Sequence, residues 1–149
     1  MQKRILNKLG LDFYLSYYYN GWTKLTEINY QAYDGKCKKL LEEDEIRFAG
    51  IINEVGTLVS GGFKKDITPL EEDKTKLKSF MEFVSKVSIR KEYDQKLGPI
   101  NYLAARRDKA VLVSFPFPVS KFVLLISANP SVDIEKLATK VVDIFSGIQ

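Results

Sequence analysis

Residues 122–126 read Phe-Val-Leu-Leu-Ile, a run that is apolar at every position. A strand that faces solvent alternates apolar and polar side chains, because successive residues point to opposite faces. A run without that alternation is the pattern of a strand in the middle of a sheet, so the chain is read as building a sheet around this segment. The neighbouring stretches supply partners. Residues 111–117 alternate Val111, Val113, Phe115 and Phe117 against Leu112, Ser114 and Pro116. Pro116 and Pro118 cannot donate to a ladder, so the far end of that strand is expected to be an edge or a bulge. Ile100 to Arg106 alternates more loosely, and Arg107-Asp108-Lys109 turns the chain between the two.

The helices announce themselves by apolar periodicity. Tyr33, Cys37, Leu40 and Leu41 share a face within 26–43, and Glu42-Glu43-Asp44-Glu45 closes that segment. Acids at a helix C-terminus oppose the macrodipole, which predicts a frayed end. Thr68-Pro69-Leu70-Glu71 has the residues of a helix start, with Thr68 as cap, Pro69 in the first turn and Glu71 completing a capping box. Leu77, Phe80, Met81, Val84, Val87 and Tyr93 would then line one face of a helix running to Leu97, where Gly98-Pro99 stops it. After the break at Asn129-Pro130, Asp133 caps a last helix with Ile134, Leu137, Ala138, Val141, Ile144, Phe145 and Ile148 on its apolar side.

The stretch Phe48–Lys65, FAGIINEVGTLVSGGFKK, contains Gly50, Gly56, Gly61 and Gly62 and raises the question of phosphate binding. It lacks the Gly-Lys-Ser/Thr ending that opens a helix in a P-loop, and it lacks the G-x-G-x-x-G spacing of a dinucleotide site. It reads as a hairpin: strands around Ile46–Ile52 and Thr57–Ser60, a turn at Asn53–Gly56, and Gly61-Gly62 as the exit from the second strand.

The expected fold is therefore α+β, a five-stranded antiparallel sheet with helices in the order α-β-β-α-β-β-β-α. It forms one domain over 25–149, preceded by an extension over 1–24. That extension packs Phe13, Tyr14, Tyr17, Tyr18, Tyr19 and Trp22 into a short stretch, after Ile5, Leu6, Leu9 and Phe13 at the spacing of a short amphipathic helix. Three readings stay open for it: an arm packed across the domain, a contact with a partner subunit through Phe13, Tyr17, Tyr18 and Trp22, or a peripheral membrane contact.

Composition narrows the function. There is no histidine, which removes the commonest general base and metal ligand. The single cysteine, Cys37, sits on an apolar helix face and excludes an internal disulfide. Neither acidic cluster, Glu42–Glu45 or Glu71–Asp73, has the spacing of an EF-hand, and both read as solvated acids at helix ends. No catalytic residue, metal or cofactor is assigned. The net charge of +4 is concentrated in residues 1–24, with four basic residues against one acid, so the body is close to neutral. That argues against a broad nucleic-acid-binding face. A lone cysteine and the absence of a membrane-length apolar run point to the cytoplasm.

The element order and the opening hairpin EIRFAGIINEVGTLVSGG resemble the roadblock and longin group of profilin-like domains, over about residues 26–149. The stretches IRFAGIINEVGTLVSGGF, TPLEEDK, IRKEYDQKLGPINYLAARRDK and LLISANP are similar to a family of small proteins from ammonia-oxidising archaea, a likeness that brings no activity with it. Resemblance to roadblock domains implies a non-enzymatic, homodimeric scaffold or regulator acting towards a small GTPase. It implies a dimer surface on the exposed parts of the 69–97 helix and the 100–106 strand. Arg90, Lys91, Arg106, Arg107 and Tyr102 are the candidate partner surface, against a plain reading as a solvated hairpin tip. The alternative is a small-ligand sensor binding between sheet and helix, with Tyr102, Phe115, Phe117 and Phe80 as lining.

Overall fold

The computed structural model describes residues 31–118 and 120–146. The expectations for the 1–24 extension, for the first turn of the 26–43 helix and for Ile148 lie outside the described residues. The elements are α1 (31–41), β1 (Ile46–Ile52), β2 (Leu58–Phe63), α2 (Lys74–Ser88), α3 (Asp94–Leu97), β3 (Leu103–Arg106), β4 (Val111–Pro116), β5 (Val123–Ala128) and α4 (Ile134–Phe145). The five strands form one antiparallel sheet in the order β2-β1-β5-β4-β3, so the unbroken apolar run does lie in the central strand.

Alternate residues of each strand go to opposite faces, and each face has its own core. Ala49, Ile51, Val113, Phe115, Leu124 and Ile126 pack with Tyr33, Cys37 and Leu40 of α1 and with Leu137, Val141 and Phe145 of α4. Phe48, Ile52, Val123 and Leu125 face the other way and meet Val84 of α2, with Phe80, Met81 and Ile89 around it. A register shift between Ile46 and Phe48 sends Ile46 to the α1–α4 side, where parity alone would have placed it with Phe48.

The first hairpin turns where the sequence places the turn. Asn53 Oδ1 accepts from the backbone N–H groups of Val55 (3.1 Å) and Thr57 (2.9 Å), and Gly56 takes φ +77°. The second strand is longer than expected. Gly61 and Gly62 lie inside β2, paired with Gly50 and Ala49, and are not its exit. Gly61 has φ +81°, and its N–H turns to Asp34 Oδ1 on α1 at 2.9 Å. A positive φ inside a strand is open to glycine at little cost, and here it directs an edge-strand donor to a carboxylate of a packed helix.

The end of α1 is held despite its acids. Lys64 Nζ donates to the carbonyls of Glu43 (2.6 Å) and Asp44 (3.4 Å), and Lys140 pairs with Glu43 at 2.9 Å. These cations offset the negative charge gathered at the helix C-terminus.

The middle helix differs from the sequence expectation at both ends. Its cap is Asp73, whose Oδ1 accepts from Thr75 N (2.9 Å) and Lys76 N (3.2 Å). Glu71 instead receives the N–H of Asp73, and the Thr68 carbonyl receives Arg47 Nη2. Path length is the physical reason. Phe63 lies beside Phe48 near the start of β1, whereas Lys78 reaches the carbonyl of Val55 at the hairpin turn. The connection must run the length of the hairpin, roughly 20 Å for six strand residues, before the helix can begin. At the other end α2 stops at Ser88, whose hydroxyl is buried against that of Ser114 (2.9 Å), and Ile89 turns into the α2-side core. Tyr93, expected on the buried stripe, is exposed, as is Leu97, expected as the end of the helix, and Gly98 ends only the short α3. The third strand begins at Leu103, opposite Ser114. Extending it back to Asn101 would set it against Pro116, which has no N–H for the ladder; the far end of β4 is thus left without a β3 partner, as its prolines predict.

Candidate interaction surface

The two sheet faces are covered unequally. Two helices cover the α1–α4 side. On the other side α2 lies over β1 and β5, and three of its residues, Val84, Ser85 and Ser88, are buried. Its orientation follows from its contacts. Lys78 bonds Val55, Ser85 Oγ donates to the Asn53 carbonyl at 2.8 Å, and Glu82 stands against Gly56, so this flank faces the first hairpin. The flank turned away from the hairpin, at i, i+3, i+7 spacing, carries Phe80, Phe83 and Val87. Phe83 is 64% exposed.

The α2 side of β3 and β4 is also apolar and only partly covered. Leu103 pairs with Ser114 and Ala105 with Leu112, and residues opposite each other share a face. Ser114 meets Ser88 of α2, which puts this set on the α2 side. Leu103 and Leu112 are half-buried and Ala105 is exposed. Leu103, Ala105 and Leu112 therefore form an apolar strip on the α2 side of β3 and β4, the sheet edge among the described strands, and Phe83 is a further exposed apolar side chain on α2. Phe83, Leu103 and Ala105 fall within the 69–97 helix and 100–106 strand implied as a dimer surface by the resemblance, although none of the four is among the residues named individually for it. Phe83 had one signal: it is an aromatic residue lying off the stripe that buries the helix.

The candidate surface residues go to different places. Arg106 donates to the carbonyls of Pro130 (2.5 Å) and Val132 (3.3 Å), tying the end of β3 to the loop before α4. Arg107 turns the β3–β4 hairpin through its N–H to Ala110 O. Arg90 pairs with Glu92, which holds that carboxyl below its usual range. Arg90 and Lys91 follow the Ser88–Ser114 contact, at the opposite end of β3–β4 from Arg106. The hydroxyl of Tyr102 donates to Glu135 of α4, a bond that raises its pKa, and its ring lies 5.8 Å from Phe115. Of the residues proposed to line a ligand site, Phe115 and Phe117 lie on the α1–α4 side and Phe80 on the α2 side.

A cavity of about 780 Å³ opens where the α2–β3 connection, the end of β4 and the end of α4 meet. Phe115, Phe117 and Phe145 line it, as do Arg90, Lys91 and Lys121. Cys37 is fully buried. Burial, and then Asp34, push its thiol from the ordinary 9.0 up to about 12, so it is inert as a nucleophile at neutral pH. Among the described residues no cluster of three or more metal-ligating side chains occurs.

Residues 25–147 match the model of DUF6659, a family of unknown function. The chain belongs to that family. No curated protein matches its sequence. Among solved structures, this DUF6659 chain is similar to a Roadblock/LC7 domain from Streptomyces avermitilis at 13% identity and TM-score 0.57, covering 77% of this chain and 92% of that one. It is similar to the gliding protein MglB of Thermus thermophilus at 13% identity and TM-score 0.62, covering 80% and 90%. It is also similar to an MglB solved in a tetrameric arrangement, at 10% identity and TM-score 0.62, covering 80% and 87%. At such identities the likeness is one of fold, and the DUF6659 fold is the roadblock fold expected from the hairpin and the element order. No described helix is long and apolar enough to cross a membrane.

Proposed function

We propose that this DUF6659 protein is a non-enzymatic, homodimeric interaction module of the cytoplasm, serving as a scaffold or regulator towards a small GTPase. The observation that carries the dimer is the strip of Leu103, Ala105 and Leu112 at β3, the edge strand among the described residues, together with the exposed Phe83 on α2. An apolar patch along an unpaired strand is a liability in a monomer. A second copy related by a two-fold axis would cover strip with strip and pair β3 with β3, extending the sheet across both subunits. The tetrameric arrangement of one MglB supports assembly through this fold.

Mass measured by sedimentation or light scattering across a dilution series tests the dimer. The native chain should be a dimer at tens of micromolar, and Phe83→Glu should be a monomer with unchanged circular dichroism. A strict monomer at tens of micromolar would overturn the proposal. The GTPase assignment rests on the resemblance to roadblock domains, and is tested by capture of small GTPases loaded with GDP or a GTP analogue. Failure to retain either form would remove it and leave the dimer standing.

A further inference from the structure

The cavity described above opens beside the point where the described chain begins. Tyr33 sets its ring edge-on to Phe117 at 5.5 Å and to Phe122 at 5.9 Å. Phe117 lines the cavity and meets Phe145 at 5.9 Å. The thirty residues before Gln31 therefore join the fold within one helical turn of a ring that touches the cavity wall. At about 780 Å³ the cavity falls in the range of sites that enclose an organic ligand, about 300–1,000 Å³. Val142 of α4 stands on its rim, 64% exposed, with Ile89 and Ile100 among the other lining residues.

The same chain holds a segment of matching chemistry. DFYLSYYYNGW carries Phe13, Tyr14, Tyr17, Tyr18, Tyr19 and Trp22, rings that are apolar in body and polar at the tip for all but phenylalanine. Such side chains suit a cavity whose lining includes Phe115, Phe117 and Phe145 together with Arg90, Lys91 and Lys121, since a cation over a ring face adds attraction. Residues 23–30 can span up to about 26–29 Å when extended, enough to return residue 22 to a cavity beside Tyr33. Tethering makes the encounter intramolecular, with an effective concentration in the millimolar range.

We infer that the cavity is the seat of this chain's own aromatic stretch, residues 13–22, docked within the same subunit. The inference is independent of the dimer strip, none of whose residues lines the cavity.

Trp22 is the only tryptophan, so its fluorescence reports this one segment. In the full-length native chain its emission should lie to the blue of the urea-unfolded chain, with acrylamide quenching several-fold less efficient. Val142→Asp and Ile100→Asp each place a carboxylate at the cavity. Each should raise quenching towards the unfolded value while circular dichroism and cooperative unfolding are retained. Phe83→Glu should leave quenching unchanged. Three results overturn the inference: Trp22 quenched in the native chain as in urea, shielding unaltered in both cavity variants, or shielding lost on dilution in step with molecular mass.

Discussion

Replacing Gly61 with alanine tests how β2 is built. A Cβ at Gly61 would lie 2.2 Å from the Ala49 carbonyl oxygen, 2.9 Å from Gly50 Cα and 3.0 Å from Cys37 Sγ. The first two are backbone atoms of the paired strand and cannot swing aside. The backbone there has φ +81°, a conformation costing a residue with a side chain about 1–3 kcal/mol. Relieving the clash means moving β2 off β1 or flattening φ, and flattening φ withdraws the N–H from Asp34, a charge-assisted bond of about 1.5–3 kcal/mol. A loss of about 3–4 kcal/mol follows, a large share of the roughly 5–15 kcal/mol that holds a domain together. Gly62 is the internal control, since a Cβ there meets nothing within 4 Å. Urea unfolding at one fixed protein concentration reads both variants. With a slope near 2 kcal/mol per molar, Gly61→Ala should lower the midpoint by about 1.5–2 M, while Gly62→Ala should shift stability by about 0.5 kcal/mol or less. Equal midpoints for the two variants would refute the assignment of Gly61 as a conformationally required residue.

Two further outcomes follow from the same structure. Asp73→Ala should cost about 1 kcal/mol by removing the cap of α2, whereas Thr68→Ala should be close to neutral in urea unfolding; the reverse order would restore the helix start at Thr68. Cys37 keeps its proton up to about pH 12 when folded, against an ordinary 9.0. The unfolded chain therefore releases that proton first as pH rises, so the contribution to stability is complete below about pH 9 and is lost between there and about pH 12. Thermal unfolding from pH 8 to 10.5 should show a decline in Tm that is shallower in Cys37→Ala; an identical slope would contradict the burial of the thiol.

What the sequence reveals depends on how local the deciding physics is. The central position of β5 is readable because burial on both faces leaves no polar alternation, and α4 is readable because Asp133 and the apolar stripe agree. The start of α2 is misplaced from sequence because two caps compete within six residues, and the choice between them is made by the distance the chain must travel along the hairpin. Gly61-Gly62 reads as an exit because nothing nearby in sequence marks a strand that continues through a positive φ. Its partner, Asp34, comes from another element. The surface is least legible. Arg106 and Tyr102 look like free polar groups in one dimension, yet both are bound to neighbouring elements. Leu103, Ala105 and Leu112 look like ordinary strand residues until the sheet register sets them on one face.

The pairing of β1 with β5 also governs how the chain assembles. Ile46 finds its partner at Ala128, so the two strands that meet at the centre of the sheet are separated by most of the domain. During synthesis the first hairpin and α2 emerge well before β5, and β1 waits with one edge unpaired and Ala49 and Ile51 lacking the β4, β5 and α4 part of their core. Long-range pairing of this kind slows folding, because loop closure must precede the contacts that reward it. Refolding should therefore be late and concerted, with protection of the β1 amides appearing only as β5 docks. Any shortening of the chain that removes β5 would forfeit the centre of the sheet, and with it the half already made.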